Sequence, residues 1–60
     1  MKEDLQALSD SAIKIAITYE SKEIAATKLG EYMEAENHRL IAKHHRIESK
    51  KYLQEMKDYE

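Results

Sequence analysis

The sequence predicts an all-α fold, an antiparallel two-helix hairpin, and three observations carry the prediction. Proline is absent, the one glycine, Gly30, sits at the midpoint, and apolar residues on both sides of it recur at the period of an amphipathic helix. Ala, Leu, Ile, Lys and Glu dominate and charged residues make up 37%, the composition of long helices rather than of sheet or coil. Hydrophobic content of 42% with a net charge of only -2 keeps the chain out of the disordered regime.

Sixty residues make one small domain, 1–60, with a thin margin of stability. With no cysteine, disulfides cannot supplement its core, and oligomerisation is the usual remaining device. The acidic flank of Met1 and the interruption of the apolar run Ala12 to Tyr19 by Lys14 argue against a signal peptide. No stretch approaches the roughly 18 apolar residues of a membrane span. The expectation is a small cytoplasmic protein of bacterial or phage type with no membrane partner.

Helix one is expected over about residues 3–29. Leu5, Leu8, Ala12, Ile15, Tyr19, Ala26 and Leu29 form its main apolar stripe, and Ile13, Ile17 and Ile24 form a second one nearly opposite. Gly30 suits the left-handed residue just past a helix end, and Lys28 suits the negative end of the helix dipole. Helix two is expected over about 31–59, opening on Glu31, Glu34 and Glu36. Another place for the break is Glu36-Asn37-His38, and Ser9-Asp10-Ser11 reads as a helix start or local irregularity.

A competing fold is one continuous coiled-coil helix. Leu5, Ala12, Tyr19, Ala26, Met33, Leu40 and Ile47 repeat every seven residues straight through Gly30. The companion seam fails, because it contains Lys22, Glu36, Lys43 and Lys50, and a two-stranded coil would leave Ile13, Ile17 and Ile24 in water. The hairpin is preferred, because two hairpins dimerising into a four-helix bundle cover both apolar sides of helix one. The dimer surface is expected to join Ile13, Ile17 and Ile24 to a second apolar side of helix two, Ile41, Tyr52, Met56 and Tyr59.

Charge is segregated along the chain. Residues 1–37 carry four Lys against eight acids, 38–51 carry five Lys or Arg against Glu48, and 52–60 carry one Lys against three acids. Within the basic island Arg39, Lys43, Arg46 and Lys50 fall within about 60° of one another on a helix, and Lys57 continues the line. Such an edge could lie along phosphates, although no aromatic residue interleaves it for base stacking. In size and helical plan the hairpin dimer resembles the Rop type of small plasmid RNA-binding protein. That resemblance is of architecture, and it implies RNA or DNA binding by the basic edge.

Chemistry-bearing patterns are thin. The Glu-x-x-His motif of helical di-iron proteins is missing, and only the pairs Glu34/His38 and His44/Glu48 have helical ligand spacing, so no metal and no cofactor are expected. His44 falls with Met33, Leu40 and Ile47 and is expected to be a core or interface imidazole that makes assembly pH-sensitive. Ser9, Ser11, Ser21 and Ser49 have no evident base and orienting carboxylate, so no catalytic activity is expected. The functional expectation is a self-associating interaction or regulatory protein acting through protein–protein contacts, with nucleic-acid binding as the alternative.

Overall fold

The computed structural model describes residues 2–59 as two α-helices, α1 (Lys2–Lys28) and α2 (Tyr32–Asp58), packed antiparallel along their lengths. Each has 27 residues, about 40 Å at 1.5 Å per residue, and the Cα trace measures 46 × 13 × 9 Å. A continuous helix would be about twice as long, so the unbroken coil does not form.

The break falls at Gly30, which alone among the described residues takes a positive φ, 78°. Its N–H donates to the Thr27 carbonyl (3.1 Å), and the Glu31 N–H reaches back to the Ala26 carbonyl (2.9 Å). These two bonds cap the last carbonyls of α1 in a Schellman closure, which requires the left-handed residue that glycine supplies without steric cost. The other suggested interruptions are absent. Ser9-Asp10-Ser11 lies inside α1 and Glu36-Asn37-His38 inside α2.

The helices meet on small residues. Ser9, Ala12, Ala16 and Ala26 of α1 are buried against Ala35, Ala42 and Ser49 of α2. Adding the half-buried Leu5, Tyr19 and Glu23 completes a seam in α1 with spacings of three and four. His38, His45, Tyr52 and Met56 do the same in α2. This alternation is the seven-residue repeat of paired helices, and side chains as small as alanine let the two backbones approach closely. At the open end the Ser9 and Ser49 hydroxyls join across the seam at 2.7 Å, each satisfying the other where water is excluded.

The expected main stripe is therefore displaced by one position. Ala12 and Ala26 are in the seam and Leu5 and Tyr19 border it, but Leu8 and Ile15 lie on a flank and Leu29 is 73% exposed. Weighting residues by hydrophobicity favours the line through Leu8 and Ile15. Close approach selects the neighbouring line through Ser9 and Ala16. The same displacement turns Met33, Leu40 and Ile47 to the outside of α2, with Met33 85% exposed.

Candidate interaction surface

A bidentate ion pair fixes which sides of the two helices share a face. Arg46 of α2 donates from Nε and Nη2 to the two carboxylate oxygens of Glu20 in α1, at 2.5 and 2.7 Å. Around Glu20, residues Ile13, Ile17 and Ile24 stand at helical spacings of seven, three and four, so they belong to the Glu20 side of α1. Around Arg46, residues Arg39, Lys43, Lys50, Leu53 and Lys57 occupy the same side of α2. The hairpin thus has one face with an isoleucine-bearing, acidic half and a basic half.

Two open grooves run between these halves. The larger, about 340 Å³, lies among Glu20, Glu23, Arg39, Lys43, Arg46 and Lys50, with Ala42 and Ile47 also lining it. The smaller, about 180 Å³, is bordered by Ile13, Arg46, Ser49, Lys50 and Leu53.

The electrostatics of the face divide the basic edge. Arg46 is neutralised by Glu20, and its hydrogen bond holds the Glu20 carboxyl below the ordinary value while raising the guanidinium. Arg39 is similarly joined to Glu36 within α2, lowering Glu36 and raising Arg39. Lys43, Lys50 and Lys57 make no ion pair among the described residues and keep their charge available to a partner.

The expected dimer residues do not all share one surface. Ile17 and Ile24 are exposed on the Glu20 face, Ile24 at 58%, and Ile13 is half-buried beside them. Tyr52 and Met56 are half-buried along the seam of α2. Ile41 and Tyr59 are exposed, and Ile41 lies about 140° around α2 from Arg46, on the opposite face of the hairpin with Leu8 and Ile15.

The histidines also sort differently from expectation. His44, expected in the core or an interface, is not in the core of the hairpin: 70% of its side chain is exposed, because its position is more than about 100° from the Ala42–Ser49 seam. Its Nε2 and the Nδ1 of His45 approach one Glu48 oxygen at 3.3 and 3.1 Å. His38 instead borders the seam. Its ring is tilted against Tyr19 with centroids 5.7 Å apart, its Nδ1 is buried without a hydrogen-bond partner, and the Lys22 ammonium sits 4.6 Å from the Tyr19 centroid. No group of three or more His, Asp or Glu is arranged to hold a metal among the described residues.

Sequence reasoning missed the Ser9–Ser49 link and the Glu20–Arg46 fork. A signal for the first was present in the small residues Ala35, Ala42 and Ser49, spaced by seven. The second depends on how far the helices are shifted along one another, which one-dimensional spacing does not encode. No helix of the described residues is long and apolar enough to cross a membrane. In comparisons with protein-family models, curated proteins and solved structures, no match to this chain was found.

Proposed function

We propose that this chain is a non-enzymatic, self-associating helical interaction protein, in which two hairpins pair into a four-helix bundle. One observation carries the reading: the seam within the hairpin is built from Ser9, Ala12, Ala16, Ala26, Ala35, Ala42 and Ser49, and Ile17, Ile24, Leu40 and Ile47 are left in water. Exposed apolar surface of this kind marks interaction sites.

Area supports the same reading. A compact monomer of 7.0 kDa exposes about 4,000 Å², whereas this hairpin exposes 4607 Å². Removing the excess from two chains buries about 1,200 Å², the lower end of specific protein interfaces. The radius of gyration, 13.9 Å, also exceeds the roughly 10 Å of a globular chain of this length. An elongated body with little interior gains most from a second copy laid along it. Among the described residues the two grooves are open and the buried Ser9 and Ser49 hydroxyls satisfy each other, which favours an interaction reading over a catalytic one.

Sedimentation equilibrium tests the proposal. A mass of two chains, with folding that strengthens as concentration rises, is the expected result. A folded monomer that melts cooperatively at dilute concentration refutes it.

A second reading, nucleic-acid binding, is favoured by the unpaired Lys43, Lys50 and Lys57 along one edge. It predicts retention on heparin or RNA resin that falls steeply with salt, and loss of retention when Arg39, Lys43 and Arg46 become Gln while helicity is kept. No retention at low salt removes it.

A further inference from the structure

We propose that the basic edge of α2 is the docking surface for the acidic, isoleucine-bearing side of α1 from a second copy, around a two-fold axis running along the hairpin. The inference rests on the self-association reading above and names the surface that reading uses.

Heights along the hairpin follow from the serine contact. Ser9 is level with Ser49, and in an antiparallel pair each residue gained on α1 is one lost on α2. Asp10 is thus level with position 48, between Arg46 and Lys50. Ile17 is level with 41, near Lys43, and Glu20 with 38, beside Arg39.

Rotation by a half turn about a lengthwise axis carries no translation, so every residue keeps its height. Placing the Glu20–Arg46 face of one hairpin on that of another then lays α1 of each copy under α2 of the other. Asp10 faces Lys50 of the second copy, which no acid among the described residues of its own chain engages. Ile17 lies against the aliphatic stem of Lys43, which long cationic side chains provide readily. The symmetry makes each of these contacts twice.

Charge decides against the other stacking of the same two faces. A crosswise axis would set α2 on α2, bringing Arg39, Lys43, Arg46 and Lys50 against themselves, and like charges so juxtaposed oppose association. The lengthwise arrangement instead gives unpaired Lys50 an acidic partner and fills the grooves between the helices. It also accounts for the segregation of charge noted in the sequence: the basic edge and the acidic half of the chain are two sides of one self-complementary surface.

A charge exchange tests it. Asp10→Lys and Lys50→Asp, each confirmed helical by circular dichroism, are expected to weaken the dimer about tenfold at low salt, because two contacts change from attraction to repulsion. Combining them in one chain should restore most of the parent affinity. Singles that dimerise like the parent, or a double variant no better than the singles, overturn the proposal while leaving self-association standing. A monomeric parent overturns both.

Cross-linking gives an independent readout, since the chain has no native cysteine. Ile17→Cys with Lys43→Cys should give a covalent dimer on oxidation. Cross-linking of Leu40→Cys alone, with none from the Ile17–Lys43 pair, would move the contact to the outer line of α2 and refute the assignment. Salt-sensitive binding to heparin by a monomer, lost in Lys50→Asp, would assign the edge to nucleic acid.

Discussion

Replacing Ala16 by leucine separates the two ways in which this hairpin could be held together. Ala16 is wholly buried, and the seam around it is built from Ala12, Ala42 and Ser9. Leucine adds three heavy atoms at a point where the backbones lie close. If the pocket could accept it, the added apolar burial would stabilise the fold by about 1.5 to 3 kcal/mol. In a seam set by small residues it cannot, and overpacking destabilises by about 3 kcal/mol. For 60 residues the unfolding entropy makes 1 kcal/mol worth up to about 8 °C, so Ala16→Leu should lower Tm by about 20 °C. The neighbouring Lys14→Leu, on the exposed outer side of α1, should change stability by less than about 0.5 kcal/mol. Thermal unfolding followed at 222 nm, at one fixed chain concentration, reads both. A leucine at 16 that raises Tm would refute the close alanine contact and restore the line through Leu8 and Ile15 as the seam.

Three further outcomes are expected. Ser9→Ala or Ser49→Ala alone strands a buried hydroxyl and should cost about 1–3 kcal/mol, whereas the double replacement should cost less than the sum, and denaturant melts of the full cycle measure that coupling. Gly30→Ala should cost about 1 kcal/mol, read from the same melts; nothing lies within 4 Å of the added methyl, so the cost is backbone strain at φ 78° rather than a clash. Acid titration of stability should show opposed contributions. Glu20 and Glu36 are held below the ordinary carboxylate value, so the stability they contribute is present above about pH 4.5 and lost as pH falls through their lowered values. Glu31 is raised by its hydrogen bond and repulsion with Glu34, so protonating it first, as pH falls through its raised value, stabilises the fold. Glu20→Gln should remove part of the acid loss, and a profile identical to the parent's would contradict the Arg46 pairing.

What could be read from the residues depended on whether the determinant was local. Helix content and the break at Gly30 were legible because a proline-free chain with one glycine offers one cheap place for a left-handed turn. The face of each helix was legible only to within one neighbouring line. Leu8 and Ser9, or Ile15 and Ala16, are adjacent in sequence, and hydrophobicity ranks the leucine and isoleucine first. Contact between backbones ranks the serine and alanine first, and that preference emerges only when the opposite helix also offers Ala35, Ala42 and Ser49 at matching heights. His44 was misplaced for the same reason, and His38 and His45 border the seam instead. The basic edge was legible only as a helical spacing, and its partial neutralisation by Glu20 was hidden 26 residues away.

The serine pair has a consequence for how the hairpin avoids misalignment. Alanines lose no rotamer freedom when buried and fit equally well against any other alanine, so a seam made of them alone tolerates slippage by a whole heptad. Slipping α2 by seven residues would bring Ser9 level with Ala42 or Met56, leaving hydroxyls shut away from water with nothing to accept or donate. One polar contact near the free ends of both helices thus acts as an alignment pin, rejecting neighbouring alignments that the apolar contacts would allow.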